Sequence, residues 1–291
     1  MLDFSRFERI LVIAPHADDE VLGAGGLMAL AHRAGAKVDC IFMAVDGLKH
    51  WGHPEVTNVE ERVAEIEAVA ERVGFDWEIL YKGRDLIEQL DTVSQREMVN
   101  FFEDAYNRYE PDILLIPDFH DFDQDHRATY RAAFAAARPI AQNTGKFFPV
   151  NVLTYEIPKI IWSDQAFRPQ MYLDISEVID VKLDGVRLYP TQLREPPHIR
   201  SVENVRALAY LRGSEIGGAV GRPVVHGDQL EVAERLRLRR SDRGPDDVGH
   251  VVHRRDDREE RGLGAGHLAG GRRRTGTGHE RAHRIWDRRT E

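Results

Sequence analysis

Two short stretches gather imidazoles and carboxylates: His16-Ala17-Asp18-Asp19-Glu20 and Asp118-Phe119-His120-Asp121-Phe122-Asp123-Gln124-Asp125-His126-Arg127. Charges packed this densely beside apolar segments are costly unless a cation or a substrate compensates them. His16, Asp19 and His126 offer two imidazoles and one carboxylate, a donor set typical of catalytic zinc with a position left open for water. An all-oxygen magnesium or calcium site would not need the histidines. Asp18, between the first two ligands, reaches over the same centre and suits a general base acting on water whose pKa the metal lowers. These parts make a hydrolase with Zn2+ as the expected cofactor, another divalent transition metal being the alternative. Singly, each residue has a blander use. Asp18 or Asp19 could cap a helix, and His126 could be a surface residue that begins one. Those readings weaken jointly, because two separate loops carry the same ligand types.

The elements that must position these loops follow from the apolar pattern. Ile10 to Ala14 is a buried strand, Gly23 to His32 a helix closed near Gly35, and Lys37 to Val45 a second strand. Asn58 to Val73 is a periodic helix, with Val59, Val63, Ile66, Val69, Ala70 and Val73 on one face. Trp77 to Tyr81 reads as a strand, Thr92 to Tyr109 as a helix, Asp112 to Pro117 as a strand, and Ala128 to Ala137 as a helix. Strands Val152 to Glu156 and Met171 to Ile175 come next, then a helix opened by Ser176-x-x-Ile179 and run to about Leu188, and one from Val202 to Leu211 that ends at Arg212-Gly213. Alternating strands and helices imply a layered α/β sheet, mostly parallel, with right-handed crossovers. Both acidic loops should then leave the same sheet edge, where open α/β sheets bind ligands. Gly23-x-Gly25-Gly26 lacks the G-x-G-x-x-G spacing of a dinucleotide loop and follows acids that would repel a pyrophosphate.

A net charge of −9 argues against a nucleic-acid surface. Cys40, the only cysteine, lies in an apolar run and excludes both internal disulfides and a thiolate zinc cluster. No apolar run is long enough for a membrane span and no signal peptide is evident, so a soluble cytoplasmic protein is expected. One domain is expected over residues 1–217. Beyond it, lysine is absent while arginine runs and glycines become frequent, so 218–291 reads as a largely disordered tail. A nucleic-acid-binding tail is disfavoured by interleaved acids. A frame-shifted translation of a GC-rich gene is a further reading of the same change in texture.

Pro15-His16-Ala17-Asp18-Asp19-Glu20, followed by Val21-Leu22-Gly23 and Gly25-Gly26, resembles the A-H-P-D-D-E signature of the LmbE-like, or PIG-L, de-N-acetylases. Asp123-Gln124-Asp125-His126-Arg127 is similar to that family's second motif, H-x-D-H-R. Weaker matches are Glu61-Arg62, Glu65, Tyr155-Glu156, Lys182 and Tyr189-x-Thr191-Gln192. The resemblance implies a Rossmann-like sheet with helices on both faces and a zinc amidase that removes acetyl from an N-acetylglucosamine-type sugar or glycoconjugate. By position, His16, Asp19 and His126 match the zinc ligands, Asp18 the general base, and Asp125 a residue that orients a ligand or a loop donor.

Two departures stand out. Ala17 replaces a proline, which alters loop stiffness more than chemistry. Asp123 stands where the family commonly has a histidine that helps stabilise the oxyanion, and an ionised carboxylate would repel that charge. Asp123 is then protonated, or an extra metal ligand, or replaced in this role by His120, or activity is reduced. Candidate substrate contacts are Lys49, His50 and Trp51 in the loop after the second strand, with Arg84 as a further one. Glu20 caps the helix or orients His16, and Tyr189 and Gln192 read as packing and solvent contact. The expected partner is a small-molecule or glycoconjugate N-acetyl sugar, with no nucleic acid, no stable membrane insertion, and a homo-oligomer left open. Rival readings are a sugar- or metal-binding relative without turnover and a zinc amidase for a different amide.

Overall fold

The computed structural model describes residues 7–45, 59–139, 145–158 and 167–216, together with the backbone of 224–230. Its centre is β1 (Arg9–Ala14), whose RILVIA sequence is buried from Ile10 onward. Burial on both faces is what a near-continuous apolar run in a parallel sheet predicts. β2 (Lys37–Phe42) and β3 (Asp76–Ile79) extend the sheet on one side; β4 (Ile113–Pro117) and β5 (Asn151–Tyr155) extend it on the other. All five pair in parallel.

Successive residues of β1 feed opposite cores. Ile10, Val12 and Ala14 pack with α1 (Gly25–Arg33), α2 (Val59–Val73), α5 (Ile179–Arg187) and α6 (Val202–Glu215). Leu11 and Ile13 pack with α3 (Gln95–Tyr109) and α4 (Gln124–Ala136). Helices therefore cover both faces of a mostly parallel sheet, the Rossmann-like arrangement. Small residues bring α1 close: a Cβ on Gly23 would collide with the Tyr155 ring, and one on Gly26 would lie 2.7 Å from Ile175 Cγ2.

Several boundaries move. α4 begins at Gln124 rather than Ala128, because Asp123 is its N-cap and accepts from the Asp125 N–H. Asp125 and His126 are thus first-turn helix residues. α6 runs on through Gly213 to Glu215, its glycine buried in the helix rather than ending it. The larger correction lies past residue 217. Val224–Leu230, expected within the tail, forms β7, antiparallel to β5 and to β6 (Met171–Asp174). The sheet order is β3-β2-β1-β4-β5-β7-β6. Main-chain pairing on both sides holds β7, and composition averaged over a long segment does not register such a strand. The chain divides at Leu238, and all described residues fall in the first unit. The tail and frame-shift readings of 231–291 lie outside the described residues. No described helix is long and apolar enough to cross a membrane.

The strand order reverses between β1 and β4, which are adjacent and parallel. Loops leaving their C-terminal ends flank the crevice where such sheets bind ligands. The two acidic stretches are those loops.

Candidate metal centre

The first loop is sharply bent. Asp18 has φ +121°, a sparsely populated region for a residue with a side chain. Its N–H donates to Glu20 Oε2 at 3.1 Å, and Glu20 Oε1 accepts from the Tyr189 hydroxyl at 2.8 Å. Glu20 is fully buried, and burial pushes its carboxyl up to about 8. Its carboxyl supports the Asp18 backbone and receives the Tyr189 hydroxyl. A π-helical turn over Glu20–Ala24 then leads into α1.

His16, Asp19 and His126 each direct one ligand atom to a common centre, all within 4.8 Å of one another. His16 Nδ1 lies 3.5 Å and His126 Nε2 3.2 Å from Asp19 Oδ2. The opposite ring nitrogens face carboxylates: His16 Nε2 is 2.9 Å from Asp125 Oδ2, and His126 Nδ1 is 3.0 Å from Asp121 Oδ2. Carboxylates behind ligating histidines fix ring orientation and raise ligand basicity. Among the described residues, Asp19 Oδ1 is buried without a hydrogen-bond partner, and the 3.2 Å approach of His126 Nε2 to Asp19 Oδ2 is too poorly aligned to give that buried nitrogen one. Such orphaned atoms are costly, and a divalent cation between them would engage both. The residues therefore fit a metal ion. Burial alone would lower the pKa of both histidines; hydrogen bonds to Asp125 and Asp19 instead raise His16 to about 9, and the Asp19 and Asp121 carboxylates raise His126. Asp19 is held below the usual range by the two imidazoles, against its burial. Ligation needs both imidazoles neutral, so metal affinity at such a site falls as pH falls.

The second loop is a chain of Asx-type turns. Asp118 Oδ2 accepts from His120 N at 3.1 Å, Asp121 Oδ1 from Asp123 N at 3.1 Å, and Asp123 Oδ1 from Asp125 N at 2.8 Å. Asp125 also accepts from Glu88 N at 2.7 Å and Leu90 N at 2.8 Å, which docks the segment before α3 against the site.

The structure brings together His16, Asp18, Asp19, Asp125 and His126. Asp123 caps α4 and is not one of the three grouped metal-ligand candidates. The ring of His120 lies against Phe119. Arg84 is not drawn into the centre: it is exposed, pairs with Glu97 at 3.2 Å and stacks over Tyr81. Lys49, His50 and Trp51 lie outside the described residues.

Three contributions escaped the sequence reading. Asp121 is the partner of His126, five residues before it in a loop crowded with equivalent acids. Tyr189 and Gln192 face the site through Glu20 and Arg200. Arg200 donates to Asp18 Oδ2 at 3.2 Å and belongs to no motif. Burial raises the Asp18 pKa, and Arg200 is the main influence opposing that rise. The weaker motif matches hold the frame: Glu65 receives Thr191 N and Oγ1, Lys182 donates to Leu22 O, and Tyr155 donates to Ile13 O.

Residues 11–137 match the family model described as PIG-L: GlcNAc-PI de-N-acetylase. The diacetylchitobiose deacetylase of Thermococcus kodakarensis is 25% identical over 222 residues, covering 68% of this chain and 78% of the relative. The crystal structure of the conserved protein TT1542 from Thermus thermophilus is 26% identical with a TM-score of 0.58, over 75% of this chain and 94% of that one. GalB, the 4-carboxy-2-hydroxymuconate hydratase of Pseudomonas putida, gives a TM-score of 0.61 at 20% identity, over 84% of this chain and 100% of that one. That likeness concerns the fold alone. One scaffold carrying a deacetylase and a hydratase means that function must be argued from the site.

Proposed function

We propose that this chain, whose residues 11–137 match the PIG-L model, is a metal-dependent hydrolase of the PIG-L (LmbE-like) kind that removes the acetyl group from an N-acetylglucosamine-type sugar or glycoconjugate. The observation that carries this reading is the buried His16, Asp19 and His126 cluster with its two orphaned polar atoms, set beside the Asp18 carboxylate. The named relative is a deacetylase of diacetylchitobiose, which supports an N-acetyl sugar as the substrate class. Two nitrogens and one carboxylate favour zinc, with other divalent transition metals as the alternative. A cytoplasmic location belongs to the same proposal.

When bound, such an ion supplies Lewis acidity, lowering the pKa of a water and polarising the acetamide carbonyl. The chain's own groups do the rest. Asp125 and Asp121 hold the rings of His16 and His126 in orientation. Asp18 takes a proton from the attacking water as its oxygen bonds to the carbonyl carbon. It returns that proton to the nitrogen as the carbon–nitrogen bond breaks, so acetate and a free amino sugar leave. Asp123 is assigned to capping, which leaves His120 as the side chain proposed to face the developing oxyanion.

The test is acetate release from N-acetylglucosamine derivatives and diacetylchitobiose by metal-loaded protein. Release should vanish on chelation, return with zinc, and fall about 10³-fold in Asp18→Asn. Stoichiometric metal with acetate release indifferent to Asp18 would sink the mechanism.

A further inference from the structure

We infer that Arg200 is the positioning residue of Asp18: its guanidinium grips one carboxylate oxygen and leaves the other aimed for proton transfer. The inference rests on the hydrolytic role proposed for Asp18. Arg200 lies beyond the segment that matches the family model, 182 residues along the chain from its partner.

The local structure explains how an arginine so distant arrives with a defined geometry. Ser201 is the N-cap of α6 and accepts from Asn204 N at 3.3 Å. Asn204 Nδ2 in turn donates to Pro197 O and His198 O, at 3.0 and 2.8 Å. Arg200 N donates to His198 Nδ1 at 3.1 Å. The backbone on both sides of Arg200 is therefore pinned. Its Nη1 reaches Asp18 Oδ2 at 3.2 Å and Gln192 Oε1 at 3.4 Å. Gln192 is backed by Thr191, whose N–H and hydroxyl both bind Glu65.

Asp18 needs such a partner. Its backbone sits at φ +121°, fixed through Glu20, but that contact leaves the carboxylate free to rotate about the side-chain bonds. The carboxylate is buried next to the acidic Asp19, so desolvation and like charge both act against it. A guanidinium on Oδ2 offsets both and selects one rotamer. Misplacing a reacting group by about 1 Å can cost on the order of 10²-fold in rate. The Arg200 side chain remains 32% exposed.

The experiment is a double-mutant cycle with Arg200→Ala, Asp18→Asn and the pair, on metal-loaded full-length protein. The expected result is a kcat about 10²-fold lower for Arg200→Ala, with KM within about threefold. The pair should be no slower than Asp18→Asn alone, and guanidinium ion should restore part of the Arg200→Ala rate. Arg200→Lys, which keeps the charge without the planar fork, should fall between and serves if the alanine variant does not fold. A second readout needs neither substrate nor metal: urea unfolding of the same metal-free variants should show coupling between the two positions. Losses that multiply, a change confined to KM, or zero coupling in unfolding would overturn the inference. Wild-type protein that releases no acetate overturns the deacetylase reading instead, and the unfolding cycle still decides whether Arg200 holds Asp18.

Discussion

In the loop after β1, Asp19 turns its carboxylate toward the two imidazoles, and Asp18 turns its own toward a guanidinium from a remote segment. In the loop after β4, Asp118, Asp121 and Asp123 each accept from a backbone N–H two residues ahead. The two loops have similar composition and leave adjacent strands. They differ in what satisfies the oxygens. The first loop satisfies the Asp18 N–H through the buried Glu20 and the His16 N–H through Asp19 Oδ2 at 2.9 Å, so Asp19 serves backbone and imidazoles together while Asp18 turns to Arg200. The second uses its acids as scaffold and delivers a single ligand, His126, from the first turn of α4. An aspartate in an acid-rich loop is thus classified by every group its carboxylate meets, ring nitrogens and guanidinium as well as N–H groups, not by its neighbours in sequence.

The sharpest way to break this comparison is to remove one reactive acid. Asp19→Ala should abolish stoichiometric metal binding and lower acetate release by more than about 10³-fold, because one of the three ligands is lost. Metal analysis after dialysis, beside turnover, checks it; retained metal would mean that the cluster is not the ligand set. A smaller effect is expected behind the rings. Asp121→Asn and Asp125→Asn should weaken metal affinity by about 10- to 100-fold while leaving the ligands themselves in place. Asp125 should also cost stability, since Glu88 N and Leu90 N depend on its carboxylate. Competition with a chelator gives the affinities. Equal effects from the two substitutions on affinity, but only Asp125 on the urea midpoint, would separate ring orientation from loop docking.

Much of this was legible in the sequence. The apolar runs of β1 and β4 marked their strands, and a histidine and acids immediately beyond each run marked the sheet edge. His16, Asp19 and His126 followed from residue type alone. The start of α4 was missed because Asp123 was weighed for charge rather than as a cap, although D-Q-D-H opens a helix as naturally as it fills a site. Arg200 was illegible for a different reason. Nothing local distinguishes it from its neighbour Arg194, and only the fold of the intervening chain brings it to Asp18, 182 positions away. The strand β7 was hidden because main-chain pairing carries no side-chain signature.

The finest test of the comparison is at Asp123, where the two loops' uses of a carboxylate compete directly. As a cap, Asp123 contributes through one oxygen to the Asp125 N–H, and asparagine caps as well as aspartate. Asp123→Ala should therefore lower stability by about 1 kcal/mol, while Asp123→Asn should be close to neutral. Turnover should follow the same order, because Asp125 and His126 occupy the first turn that the cap secures. As a charged participant in the chemistry, the same residue would give the opposite pattern, with asparagine as damaging as alanine or, by removing a charge that repels an oxyanion, faster than wild type. Urea midpoints and turnover for the two variants distinguish these cases. A turnover that tracks charge rather than capping would move Asp123 from the scaffold of the second loop to the reactive side of the site.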